Sequence, residues 1–219
     1  MKLINDRTGY WDHYAAGVAD QDQEKALKEA FGWCQYANHG PGDELLGDSL
    51  TALELGSGRG NAVAALAVKG IDTTGVDLSP TQCDAASAVW DRIPGARFIQ
   101  ADGIEFLSTT DQQWDAIYSI WGGIWFSDPE VLLPLIRARL TANGTLAFAH
   151  APAVPGSTGI QGMYGNGFKG KQVWIYRWAY EPETWETILR DHGFTEVSAW
   201  IEPAPEPDHV GTLIVRARA

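Results

Sequence analysis

Cysteine is scarce. The chain's two, Cys34 and Cys83, are too few and too far apart for a zinc cluster or a disulfide framework, so both thiols are expected to be inert in a reducing compartment. No stretch approaches the roughly 18 apolar residues that a membrane helix needs. Met1 to Tyr10 also lacks the apolar core of a signal peptide, so the chain is expected to be cytoplasmic and to meet no membrane. Positive charge is short too, with 16 Lys and Arg against 28 Asp and Glu and a formal net charge of −12. The phosphate attraction that supplies most nucleic-acid affinity would then be repulsion over much of the surface, which argues against nucleic acid as a partner. The nearest approach to a basic cluster is Lys169 with Lys171. Internal repeats and low-complexity tracts are absent.

What is present is 45% hydrophobic residue content over 219 positions, enough to bury the core of one α/β domain. From Thr51 onward, short apolar runs alternate with amphipathic helical ones, the pattern of a parallel sheet covered by helices. Strands are expected at Thr51 to Leu55, Thr73 to Asp77, Arg97 to Ala101, Trp114 to Ile120, Thr145 to Ala149, Thr195 to Ile201 and Thr212 to Arg218. Helices are expected over Gly60 to Val68, from Ser79-Pro80 to about Ile93-Pro94, and over Glu130 to Leu140 and Pro182 to Asp191. The last two strands are joined by a proline-rich loop too short for a helical crossover, which predicts an antiparallel hairpin. The chain divides into an N-terminal part, 1–49, helical around Asp22 to Tyr36; a core, 50–151; a glycine-rich insert, 152–172; and the rest of the sheet, 173–219.

The sharpest motif is Leu53-Glu54-Leu55-Gly56-Ser57-Gly58-Arg59-Gly60-Asn61, a strand running through a glycine-rich turn into a helix. Such a turn lets a ligand approach the backbone and offers it the free N–H groups of a helix start. A nicotinamide dinucleotide would also suit this turn, because Asp77 ends the next strand at a ribose-binding spacing. However, Asn61 replaces the third glycine of that pattern, Glu54 stands inside the first strand, and a further acid, Asp102, ends the third strand. Each acid also has a local explanation as a helix cap.

In this order the motifs resemble the class I, Rossmann-like S-adenosylmethionine-dependent methyltransferases, over roughly Thr51 to Ala149. The resemblance implies a three-layer α/β/α sandwich whose seven-stranded, mostly parallel sheet runs 3-2-1-4-5-7-6, with an N-terminal helical lid. It implies S-adenosylmethionine as cofactor, with S-adenosylhomocysteine as product. Glu54, Gly56, Ser57 and Gly58 would hold the methionine end, Asp77 the ribose hydroxyls and Asp102 the adenine amine. Leu78, Gly103 and Ile104 would touch the adenine, and Ser119 and Trp121 the methyl-transfer side. Tyr10, Trp11 and Tyr14 would fold over the cofactor from the lid.

The implied reaction is methyl transfer to an O or N atom of a small-molecule acceptor by in-line displacement, which needs a base only if the acceptor loses a proton. His150, just after the fifth strand, and His13, in the N-terminal segment, are the candidate bases. Only Asp102 and Asp128 fall within plausible reach for a divalent cation, so no metal is expected. No Asn-Pro-Pro-aromatic run follows the fourth strand, against base methylation. The ten tryptophans favour a flat or aromatic acceptor. Two alternatives stay open: a cofactor-binding scaffold or sensor without turnover, and an NAD(P)-dependent reductase.

Overall fold

The computed structural model describes residues 6–17, 22–164 and 174–219. A seven-stranded sheet organises the molecule, built from β1 (Thr51–Leu55), β2 (Asp72–Asp77), β3 (Ala96–Gln100), β4 (Trp114–Ile120), β5 (Leu140–His150), β8 (Thr195–Glu202) and β9 (Thr212–Arg218). Its order is β3-β2-β1-β4-β5-β9-β8, the order expected. The first five strands run parallel, and β9 lies antiparallel between β5 and β8.

Helices α1 (Arg7–Ala16), α2 (Gln23–Lys28), α3 (Asn61–Val68), α4 (Pro80–Trp90), α5 (Gly103–Thr109), α6 (Pro129–Arg139) and α7 (Pro182–Asp191) accompany the strands. Their starts are written into the sequence. Ser79, Asp102 and Asp128 each accept a backbone N–H of the helix that follows, and Pro80 and Pro129 occupy first-turn positions, where the missing N–H costs nothing.

Alternation along the strands gives the sheet two unlike faces. On one, Leu53, Leu55, Ile117, Leu146 and Phe148 pack beneath Leu107, Leu132, Leu133, Ile136, Trp185 and Leu189 of α5, α6 and α7. On the other, Ala52, Ala116, Ala147 and Ala149 leave room for Ala62 and Leu66 of α3 and for the buried Trp33. Glu54 belongs to that second face, next in alternation to Ala52.

Two expectations need correction. The helix anticipated from Asp22 to Tyr36 stops at Lys28, because Trp33 turns inward, fully buried, and donates its indole N–H to Gly42 O at 2.9 Å. The insert 152–172, read as glycine-rich loop, contains a strand: β6 (Gly159–Tyr164) pairs antiparallel with β7 (Trp174–Ala179) in a separate two-stranded sheet. Glycines at 159 and 162 hid its alternation. Residues 165–172 of that insert, with Lys169 and Lys171, lie outside the described residues, as do 1–5 and 18–21 of the N-terminal part. Among the described residues no helix is long and apolar enough to cross a membrane.

Candidate functional site

At the carboxyl ends of β1, β2, β3 and β4 lies a cavity of about 340 Å³, within the roughly 300–1,000 Å³ typical of ligand sites and at the place where open α/β sheets bind ligands. The turn after β1 forms its floor. Gly56 N and Ser57 N both donate to Val76 O, at 2.8 and 3.2 Å, which ties the turn to β2.

The three glycines of this turn have left-handed φ angles for different reasons. A Cβ on Gly56 (φ +79°) would lie 2.4 Å from Gly123 N, and one on Gly60 (φ +73°) would lie 2.3 Å from the Phe98 ring. Those two are required by packing. Gly58 (φ +51°) meets nothing nearer than Gln82 Nε2 at 4.0 Å, so the space beside it is cavity.

Three acids mark successive strand ends. Glu54 is buried, and its carboxylate Oε2 accepts from Tyr118 Oη at 3.4 Å. Burial, reinforced by the nearby Asp77, holds its pKa well above the ordinary carboxylate value, while the Tyr118 bond works against that rise. Asp77 accepts backbone N–H bonds from Gly58 and Ser79, both at 2.8 Å. Burial raises its pKa, and those bonds oppose the shift. Asp102 spends Oδ1 on capping α5, accepting from Ile104 N and Glu105 N, and Oδ2 on Arg7 of α1 at 3.0 Å.

Helix α1 roofs the cavity and is fastened at three points, the last of them Arg59 Nη2 donating to Ala15 O at 3.4 Å. The first is the Arg7–Asp102 pair. The second is Asp12, whose Oδ1 accepts from Ser79 Oγ at 2.7 Å and from Thr81 N at 3.0 Å; these bonds lower the Asp12 pKa. Between them, Trp11 meets the Phe126 ring edge-on at 4.7 Å. The opposite wall is the turn after β4, where Trp121 adopts φ +53°, a conformation that bulky residues rarely take and that marks a locally over-determined site. Its indole N–H is anchored on Trp33 O at 2.8 Å.

Of the residues singled out from sequence, Trp11, Tyr14, Glu54, Gly56, Ser57, Gly58, Asp77, Leu78, Asp102, Gly103 and Trp121 line this cavity. Five others do not. Tyr10 packs sideways on Trp11 at 4.9 Å, and Ile104 packs against the core under α5. Ser119 donates its hydroxyl to Leu55 O at 2.7 Å, bracing the β4 turn from behind. His13 is exposed on α1.

His150, the other candidate base, is fully buried behind the wall, with its ring stacked on Trp125 at 5.3 Å. Its Nδ1 faces Ala151 O at 2.7 Å; because a carbonyl only accepts, Nδ1 carries the proton. Nε2 has no partner among the described residues. Burial, and then the charge of Arg177, lower the His150 pKa to about 4. Asp128, weighed as a metal ligand, accepts from Glu130 N to cap α6.

Sequence reasoning missed Arg7 and Gln82 on the cavity wall. Gln82 is the informative omission: it is 7% exposed, and its Oε1 lacks a hydrogen-bond partner among the described residues. An unpaired buried acceptor is costly unless a ligand or water supplies a donor. Its place in the first turn after Ser79-Pro80 was the available signal.

Comparison with known proteins finds similarity over part of the chain. Residues 52–144 match the model described as a methyltransferase domain. Trans-aconitate 2-methyltransferase of Paracidovorax citrulli is 33% identical over 97 residues, 43% of this chain and 36% of that protein's length; the chain thus spans about a third of this curated relative. The Burkholderia thailandensis 1,6-didemethyltoxoflavin-N1-methyltransferase, solved with 1,6-didemethyltoxoflavin and S-adenosylhomocysteine bound, superposes with a TM-score of 0.62 at 18% identity, covering 97% of this chain and 84% of that one. The CcbJ methyltransferase of Streptomyces caelestis superposes with a TM-score of 0.63 at 13% identity, covering 98% and 100%.

Proposed function

We propose, on the premise that residues 52–144 are a methyltransferase domain carried in the Rossmann-like class I methyltransferase fold, that the chain is an S-adenosylmethionine-dependent methyltransferase acting on a small molecule. The observation that carries this reading is the 340 Å³ cavity in which an open glycine, Gly58, sits among the acids of three successive strand ends. Gln82 supports it, since its unpaired Oε1 suits a ligand bearing hydroxyl or amine donors.

When bound, S-adenosylmethionine supplies an electrophilic methyl group on a sulfonium centre. In this reading Glu54 faces the cationic methionine end, Asp77 accepts from ribose hydroxyls while keeping its two backbone N–H bonds, and Asp102 accepts at the adenine edge. A carboxylate has about four lone-pair sites, so each of these acids can serve the backbone and a ligand together. Helix α1 shuts water out above, and Trp121 walls the side from which the acceptor approaches over β4 and β5. His150, neutral and behind Trp125, shapes this wall, and transfer proceeds without it as general base.

Isothermal titration with S-adenosylhomocysteine, NADH and NADPH tests the cofactor, and release of S-adenosylhomocysteine with an acceptor panel tests turnover. Binding of S-adenosylhomocysteine alone is expected. Preference for a dinucleotide overturns the assignment, and cofactor binding without turnover on any acceptor favours a scaffold or sensor.

The buried Glu54 adds a pH dependence. In the free protein it keeps its proton above the ordinary glutamate value of about 4.3, and a cation beside it favours the carboxylate. Cofactor binding should therefore release a proton, and affinity should climb as pH rises from that ordinary value through the raised one. For the free protein the sign is opposite: whatever stability the protonated Glu54 contributes is complete below the unfolded-state pKa and is lost as pH rises through the folded one. Titration in two buffers of different ionisation enthalpy checks the release. Glu54→Gln should abolish it, and an unchanged buffer dependence in that variant would assign the proton elsewhere.

A further inference from the structure

Residues 131–180 contain no Asp or Glu, in a chain whose net charge is −12. Within that stretch, β7 carries Arg177, half-buried beside the wall of the cavity. Its Nε donates to Gln161 Oε1 of the paired strand at 3.0 Å, and its guanidinium carbon stands 5.1 Å from the centre of the Trp125 ring. Among the described residues it makes no ion pair, unlike Arg7, Arg97, Arg139, Arg190 and Arg218.

Trp125 poses a matching problem. It is only 9% exposed, and its indole N–H has no acceptor among the described residues. Its backbone O accepts from Trp178 N at 2.9 Å, which docks β7 along the turn after β4. Its ring meets Trp121 at 5.8 Å and Phe126 at 4.9 Å, both of them cavity-lining. The Arg177–Trp125 pair therefore lies directly behind the Trp121–Phe126 wall of the cavity.

An indole N–H can only donate, and a guanidinium offers five donors, of which one is used among the described residues. Both lack what an anionic oxygen provides. The guanidinium is moreover already oriented by its aromatic neighbour and by Gln161, so little side-chain freedom remains to be lost on pairing. Resting on the methyltransferase reading, we propose that Arg177 and the Trp125 N–H form the acceptor's anchoring subsite and bind a carboxylate on the methyl acceptor. The substrate class is then a small carboxylic acid, held by its carboxylate while a separate O or N atom faces the cofactor.

The test uses the whole protein saturated with S-adenosylhomocysteine and titrated with benzoate and succinate, with benzamide and succinamide as neutral counterparts and inorganic phosphate as a second oxyanion. Tryptophan fluorescence and calorimetry follow binding. At least one carboxylate should bind saturably and at least tenfold more tightly than its amide. Arg177→Gln should weaken that binding at least tenfold, Arg177→Lys by less, and both should leave S-adenosylhomocysteine affinity within threefold. The proposal is overturned by equal binding of acid and amide, by no saturable carboxylate binding, by binding indifferent to Arg177→Gln, or by phosphate binding alone. Should the protein fail to bind S-adenosylhomocysteine, the cofactor reading fails by itself, and the same titration of ligand-free protein still judges Arg177.

Discussion

Gly58→Val and Asp77→Ala should each weaken S-adenosylhomocysteine binding at least tenfold, a loss of about 1.4 kcal/mol or more. At Gly58 the argument is spatial. The nearest protein atom to an added Cβ is 4.0 Å away, so a valine would collide with a ligand instead of with the chain. Its left-handed φ of +51° costs stability as well, on the order of 1–2 kcal/mol, which a domain of ordinary stability tolerates.

Gly60→Ala is the contrasting control. Its Cβ would lie 2.3 Å from the Phe98 ring at φ +73°, and the expected result is a poorly folded protein before any question of binding arises. At Asp77 the substitution removes an acceptor from the ribose side and also frees the N–H groups of Gly58 and Ser79, which loosens the turn that shapes the cavity. Circular dichroism establishes folding and calorimetry measures affinity. Unchanged affinity in both folded variants would remove the basis for the cofactor assignment.

The second large effect concerns stability. Trp185, fully buried on α7, meets Phe148 edge-on at 5.0 Å and Tyr180 at 5.2 Å, and lies 5.8 Å from His150. Trp185→Ala should cost about 3–5 kcal/mol through lost burial and the cavity left behind. For a chain of this size that corresponds to a melting temperature lower by roughly 6–20 °C. Trp185→Phe should cost less than half as much, because it keeps an aromatic ring and removes an indole N–H that has no partner among the described residues. Trp185 is absent from the cavity wall, so S-adenosylhomocysteine affinity should stay within threefold while the variant remains folded. Thermal unfolding followed by circular dichroism decides it, and a drop under 3 °C for Trp185→Ala would mean that the α7 face is not the support it is taken to be.

The seven-stranded sheet was legible strand by strand because its determinants are local. Alternating burial, the caps at Ser79, Asp102 and Asp128, and the short loop after Glu202 each act within a few positions, and the strand order followed from a resemblance carried by contiguous motifs. The glycine turn and its three acids were legible for the same reason: each acid lies within two residues of the carboxyl end of a strand of one parallel sheet, and the ends of such strands converge.

Long-range contacts obeyed no such rule. The helix expected through Tyr36 ended at Lys28 because Trp33 was captured by the core and by Gly42. His150 reads as a base in sequence, yet it is sealed behind Trp125, whose position depends on β7 docking against the β4 turn. The Arg7–Asp102 pair spans 95 positions, and neither residue's neighbours in sequence point to the other. Gln82 became a wall of the cavity only when α4 laid its first turn beside Gly58. The sequence by itself determined which strands and turns of the seven-stranded sheet form, since those depend on neighbouring residues. Which side chains face the ligand was decided by tertiary packing, because burial and the pairing of distant charges exist only once the elements have met.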